Sequence, residues 1–423
     1  MINKLSCRGV FEVALTLLDK LFLLFGTFVT LKLLSIYASK EDFGLYSLGI
    51  SLFVIISMFP FTAIDAAVTR YFSIYQEQGK WPRALVAISW LFVALILIYA
   101  FLSLIIYFSP VAMPGVLEKA YLSIMLFSLV EILRISLLNI ENSKRHRAIN
   151  TASNGLIYIS RCWVIYYLGD HGALTISLVF EYFSLLSLMN VFILVFIQRR
   201  DFSGFRFFSW KCDKKIWAEI LHFSTPMIIW GPFIWAQNMI NRWLLGVFYN
   251  EEVVAEFVAV NAIATLIPTA TFGVLWALMT PILYKMENQK KGATQSLNRF
   301  IQPLFAFLLL SGFLLSYFFS ERILLLAFGE QYVVGAWLLP ILYIPAALIQ
   351  WAAYGSTELF AVLQTKKLLM PNIVPGVFSL VLGYILIISF PPLIAAAINA
   401  VFTGLLYYCL MMFVVRSHRK VLE

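Results

Sequence analysis

A chain of 423 residues that is 61% hydrophobic, 16% aromatic and 13% charged is far more apolar than a soluble globular domain, which runs near ~45–50% apolar and ~25% charged. Its mean hydropathy of +0.87 places it in a bilayer. The net charge of +9 sits in short basic clusters between apolar stretches and not on a basic-aromatic module, so it reports membrane topology, and no nucleic acid is expected as a partner.

The amino terminus, MINKLSCRG followed by apolar sequence, has the outline of a signal peptide. The apolar run is too long for one and is interrupted by Asp19-Lys20, so it reads as a retained first span. A bilayer span needs about 20 mostly apolar residues. Breaks at charge clusters and at Pro or Gly give about twelve candidates: 11 to 35, 43 to 68, 84 to 108, 120 to 140, 151 to 168, 174 to 197, 222 to 248, 256 to 282, 301 to 319, 337 to 362, 369 to 390 and 393 to 415. The predicted class is an all-α polytopic membrane protein.

Lys and Arg collect in alternate loops, at Arg70 to Arg83, Lys144 to Arg147, Arg199 to Lys215, Lys285 to Arg299, Lys366-Lys367 and Arg416 to Lys420. The opposite loops hold only Lys40, Lys119 and Arg322. That asymmetry predicts both termini in the cytoplasm and an even number of spans. The outer loops are short, so no extracytoplasmic domain is expected.

An internal repeat organises the chain. Lys32 falls on Arg242 and Glu41-Asp42 on Glu251-Glu252, and Tyr46 to Lys80 runs without a gap onto Phe257 to Lys291. Further on, KRHRAIN from Lys144 falls on KKLLMPN from Lys366. Six spans plus six are predicted: a bundle over 1–197, a cytoplasmic linker over 198–220 and a second bundle over 221–423.

SKEDFGLYSL after the first span, DAAVTRYFSIY from Asp65 to Tyr75, and HFSTP…NRWLLGVFYNEE from His222 to Glu252 together resemble the Wzx-type polysaccharide flippases of the multidrug/oligosaccharidyl-lipid/polysaccharide (MOP) exporter superfamily. The resemblance covers nearly the whole chain; each motif alone is degenerate, and their order and spacing carry the signal. It implies a MATE/MOP-like fold of two six-helix bundles around a V-shaped cavity. It also implies movement of undecaprenyl-pyrophosphate-linked oligosaccharide, O-antigen or a related unit, across a bacterial inner membrane. Lipid-linked oligosaccharide, membrane lipids and other polysaccharide-assembly membrane proteins are then the expected partners. Many relatives are expected to carry Asp-Arg where this chain has Asn241-Arg242, which leaves Arg242 without an adjacent acid.

The residues support a polar path on their own terms. A charge at the centre of a span costs at least ~2.5–3.5 kcal/mol on insertion scales, so such groups face a cavity or one another. Glu12, Thr16, Asp19, Gly26 and Thr30 fall on one line of the first span, and Ser224, Gly231, Trp235, Asn238 and Arg242 on one line of the seventh. Glu131 and Arg134, at i,i+3 in the fourth span, can pair. Either they hold helices together, or Arg134, Arg161 and Arg242, with Lys20, supply positive potential to a pyrophosphate, for which arginine is geometrically suited. Lys32 either snorkels or faces the cavity. Sugars need hydrogen-bonding and aromatic surfaces, which Trp235, Asn238, Asn241, Asn261 and Gln350 offer, although packing and interfacial belts account for any one of them.

No GxxxxGK[ST] occurs, so ion coupling is the expected energy source, by H+ or Na+, with Asp19, Asp65, Glu131 and Glu358 as the coupling carboxylates and Glu181 behind them. His146, His171, His222 and His418 form no catalytic spacing, and Cys7, Cys162, Cys212 and Cys409 form neither CxxC nor a zinc pattern. No enzyme, cofactor or metal is predicted. Pro60, Pro226, Gly231-Pro232, Pro268, Pro281 and Pro371 are candidate kinks or helix ends. Two alternatives to a flippase stay open: a small-molecule or drug exporter of the same superfamily, which calls for an acidic cavity, and a membrane polysaccharide polymerase, which calls for a sizeable outer loop.

Overall fold

A computed structural model describes residues 7–108, 115–199, 213–289, 293–362 and 364–422. They form thirteen α-helices and no strand: α1 Cys7–Tyr37, α2 Lys40–Ile56, α3 Thr62–Glu77, α4 Trp81–Phe108, α5 Gly115–Ser143, α6 Arg147–Asp170, α7 Ile176–Gln198, α8 Lys214–Phe248, α9 Glu251–Gln289, α10 Ala293–Phe328, α11 Leu338–Ala361, α12 Leu369–Ser389 and α13 Pro392–Leu422. Residues 200–212 of the expected linker, with Cys212, and Lys290-Lys291 of the repeat match lie outside the described residues.

Each predicted span coincides with one helix, except 43 to 68, which is α2 and α3 together. A π-helical turn at Ser57–Phe61 joins those two, with Pro60 inside it, and the pair bends by 40°. Proline lacks the N–H that would continue the ladder, and the wider turn absorbs the break. Among the described residues nine helices are long and apolar enough to cross a membrane, and the bent pair makes a tenth. The other two predicted spans, α6 and α8, are 24 and 35 residues long and carry the most polar apolar stretches, the expected mark of helices that turn one face to other helices or to water.

Several boundaries differ from the sequence reading. The break predicted between residues 35 and 43 is shorter: only Ala38 and Ser39 interrupt the helices. Ser39 Oγ accepts from the Asp42 amide at 3.0 Å and donates to Asp42 Oδ2 at 2.9 Å, a cap that starts α2 at Lys40, with Glu41 and Asp42 favourably placed in the first turn. The linker does not run to 220: α8 begins at Lys214, where Asp213 Oδ1 accepts from the amides of Lys215 and Ile216. Finally, α10 continues past residue 319, through a kink at Phe319, to Phe328.

By packing, the described helices fall into two compact units, residues 48–232 and residues 1–47 with 233–423. In the first, α5 packs along α7, and α3 and α4 share a core of Ile64, Val68, Leu85, Ile88 and Leu91 that Ile216 and Ile220 from the start of α8 complete. In the second, α11 packs along α13 and α9. Glycines permit close backbone approach there: a Cβ on Gly44 would stand 2.0 Å from the Glu251 carbonyl oxygen, and one on Gly376 2.5 Å from that of Phe233. Small residues at such crossings suit helices packed within lipid, where dispersion contacts and not expulsion of water hold them together. The starts of α6 and α12, at Arg147 and Leu369, fall at the same step of the KRHRAIN and KKLLMPN match.

Candidate functional site

The polar side chains within the spans gather into nodes. In the 48–232 unit, Glu131 on α5 is the hub of the largest. Arg134, one turn along, donates Nε to Oε2 at 2.9 Å and Nη2 to Oε1 at 2.7 Å, a two-pronged fork. Arg161 on α6 donates Nη2 to Oε2 at 2.7 Å and to Ser187 Oγ on α7 at 3.0 Å, and Ser187 donates to the same Oε2 at 2.7 Å. Asn154 accepts from Arg134 Nη1. The Arg161 guanidinium lies 5.1 Å from the Phe183 ring and 5.2 Å from that of Phe127, within cation–π range. Glu131, Arg134, Arg161 and Ser187 are all buried. Glu131 and Arg134 therefore pair as their spacing predicted, and the cluster ties α5, α6 and α7 together. Arg134 and Arg161 point into this bundle and carry their charge against Glu131.

Asp65 on α3, just past the bend, is buried in a different way. Its Oδ2 accepts from Ser136 Oγ at 3.2 Å and Asn139 Nδ2 at 3.0 Å, both on α5. Among the described residues no cation lies within ion-pair distance of it.

The second unit has its own carboxylate node. Glu358 on α11 accepts a fork from Arg419 on α13, Nε to Oε2 at 2.9 Å and Nη2 to Oε1 at 2.6 Å, and Asn298 on α10 donates to Oε1 at 3.0 Å. Sequence reasoning placed Arg419 among the cytoplasmic charges, and nothing in the local pattern shows that it reaches a span carboxylate 61 positions away.

Asn241 and Arg242, neighbours on α8, do separate work. Asn241 is buried in a neutral network: its Oδ1 accepts from Asn399 Nδ2 at 2.7 Å, and its Nδ2 donates to the Ala396 carbonyl at 3.3 Å. An aspartate there would set a carboxylate oxygen against that carbonyl, which accounts for the amide in this chain. Arg242 is half-buried and, among the described residues, makes one hydrogen bond, Nη1 to Ser47 Oγ at 3.1 Å, while its buried Nε has none. Among the described residues no carboxylate pairs with it. Asn238, exposed, and Trp235, half-buried beside Trp243, lie one and two turns before it on the same face.

On α1, Lys20 Nζ is 3.7 Å from Asp19, both partly exposed, and Thr16 donates to the Glu12 carbonyl. Lys32 Nζ donates to the Leu326 carbonyl at 2.7 Å, near the carboxyl end of α10, where a cation complements the helix dipole. Glu181 accepts from Ser123 at 3.0 Å. Among the described residues no group of three or more His, Cys, Asp or Glu could hold a metal.

The family described as "Polysaccharide biosynthesis protein" matches residues 15–287. No curated protein matches the chain. Among solved structures, the lipid II flippase MurJ in an inward closed conformation superposes with a TM-score of 0.69 at 16% identity, over 96% of this chain and 87% of that one. The Vibrio cholerae MATE transporter VcmN, in its bent form, gives 0.62 at 13% identity over 96% of both chains. An inward-facing multidrug resistance MATE family transporter of the MOP superfamily gives 0.63 at 12% identity, over 99% of this chain and 97% of that one. The helical membrane fold is thus that of the MOP transporters.

Proposed function

Because the chain belongs to the polysaccharide biosynthesis protein family and its fold is that of membrane transporters and flippases, not of catalytic enzymes, we propose that it is a flippase for undecaprenyl-pyrophosphate-linked oligosaccharide. The unit is O-antigen or a related repeat, carried from the cytoplasmic to the periplasmic leaflet of a bacterial inner membrane by alternating access. The proposal includes sequential six-span halves, cytoplasmic termini, and coupling to H+ or Na+ through one or more of Asp19, Asp65, Glu131 and Glu358.

One observation carries this reading: the stripe of Trp235, Asn238 and Arg242 on α8, whose arginine has no carboxylate partner among the described residues. A half-buried guanidinium held only by a serine hydroxyl retains donors for a pyrophosphate, which an arginine can grip bidentately. Asn238 and Trp235 next to it offer what a sugar needs, an amide and an aromatic face. Lys20 adds a second, partly exposed cation. Arg134 and Arg161, already spent on Glu131, serve the framework.

The test is complementation of a strain that lacks its polysaccharide flippase, with surface polysaccharide as the readout. Wild type restores it; Arg242→Ala, at normal expression, does not; Arg242→Lys restores it in part. Full restoration by Arg242→Ala would remove the anchor of the reading. Wild type that restores nothing but raises resistance to cationic drugs would favour the exporter instead.

A further inference from the structure

Four span carboxylates are candidates for coupling, and their surroundings separate them. Glu131 accepts from two arginines, Glu358 from Arg419, and Asp19 sits beside Lys20. Asp65, which is 6% exposed, is held among the described residues only by an amide and a hydroxyl. From this geometry, and resting on the ion-coupled reading above, we propose that Asp65 is a proton-binding site whose occupancy alters the α3–α5 contact just past the Pro60 bend.

A carboxylate held by an arginine fork stays charged, because removing the negative charge strands a buried cation. Asp65 has no such tie. Among the described side chains, the charges on the elements packed around it are paired or exposed. On α5, Glu131 is paired with Arg134, and Glu141 accepts from Lys144 and His146. On α3, on α4 and in the turn between them, Arg70, Arg83 and Lys80 are exposed. On the first turns of α8, Glu219 accepts from Tyr75 and His222 is exposed. Asp65 can therefore exchange its charge for a proton without stranding a partner.

The same contacts favour a proton over a metal cation. A hard cation gathers several oxygens, whereas here an amide nitrogen and a hydroxyl each spend a hydrogen on Oδ2. A proton taken from water onto a carboxylate oxygen neutralises the group. On Oδ1, which accepts from neither side chain, the proton turns Oδ2 from a carboxylate oxygen into a carbonyl oxygen and weakens both donations; on Oδ2 it makes a donor, to which Asn139 turns its carbonyl oxygen or Ser136 its lone pair. Release of the proton to water restores the observed pair of hydrogen bonds. The rearrangement falls where α3 meets α5 (Ser136 and Asn139) and where α2 and α3 are joined by a non-α turn, so a change of one proton is placed to shift a bend.

Infrared difference spectroscopy of the purified protein in lipid, scanned across pH, reads the carboxyl state directly and needs no substrate. The expected result is a protonated-carboxyl C=O band that grows as pH falls, is lost in Asp65→Asn, persists in Glu131→Gln and Glu358→Gln, and is unmoved by sodium chloride at constant pH. Asn139→Ala keeps the carboxyl and should shift the band, which covers the case in which Asp65→Asn does not fold. A band that survives in Asp65→Asn, that is unmoved in Asn139→Ala, or that sodium removes would overturn the assignment. The flippase reading fails or stands separately, by complementation: a pH-dependent Asp65 band in a protein that restores no polysaccharide would keep the site and discard the substrate.

Discussion

Arg419, in the last turns of α13, sets Nε and Nη2 on the two carboxylate oxygens of Glu358 on α11. Asn298 adds a hydrogen bond from α10, so one carboxylate gathers three helices. The pair is nearly out of water, with side-chain exposures of 18% and 5%. Removing one partner of a buried pair leaves the other charge uncompensated, at a cost of roughly 3–5 kcal/mol. Arg419→Ala and Glu358→Gln should each lower the unfolding temperature in detergent, and the charge-reversed double variant Glu358→Arg/Arg419→Glu should recover part of the loss. A double variant no better than the sum of the two singles would show that the fork is not what joins the helices.

The Glu131 node makes a sharper demand. Glu131→Gln leaves Arg134 and Arg161 buried without an anion and should cost at least as much, about 3–5 kcal/mol. Arg161→Lys should fail to replace arginine, because a lysine cannot both bond Glu131 and Ser187 and present a planar cation to the Phe127 and Phe183 rings. Thermal unfolding of the purified variants, side by side with wild type, checks both.

Much of this was readable from sequence, and the remainder was hidden for identifiable reasons. The helices behind the twelve predicted spans could be placed because length and apolarity are local properties, and Glu131–Arg134 because an i,i+3 pair is written on one helix. Arg419 and Glu358 are 61 positions apart, and Asp65 is 71 and 74 from its donors, so no periodicity reveals them. The onset of α2 is written in the sequence, since Ser39 with Asp42 three residues on is a capping signal, but the charges around it obscure it. The start of α8 was masked by lysines, since Ile216 and Ile220 show their purpose only once α3 and α4 stand beside them.

Asn241→Asp would restore the acid-arginine order expected of many relatives, yet here it exchanges an amide donor for an oxygen facing the Ala396 carbonyl. A lost buried donor costs about 1–3 kcal/mol. The variant should unfold at a lower temperature than wild type, and a second change, Asn399→Ala, should add less than its own single effect, because the two residues share one network. Fully additive losses would speak against that coupling.

Gly44→Ala tests the approach of α2 to α9. Its new methyl would meet the Glu251 carbonyl oxygen at 2.0 Å, and since that atom is backbone, the helices themselves must part. Overpacking of this kind costs roughly 1–3 kcal/mol. Reduced yield of folded protein by size-exclusion chromatography is the expected outcome, and a wild-type profile and unfolding temperature would contradict the packing described.

Transport of the proposed substrate itself is measured in liposomes reconstituted with the purified protein and a fluorescent undecaprenyl-pyrophosphate oligosaccharide, by the fraction of label that a membrane-impermeant quencher reaches over time. Wild type should move label between leaflets far faster than empty liposomes, and Arg242→Ala, of equal thermal stability, should fall back toward the empty rate. Wild-type liposomes that flip no faster than empty ones, from a preparation that still accumulates a cationic dye, would contradict the flippase assignment.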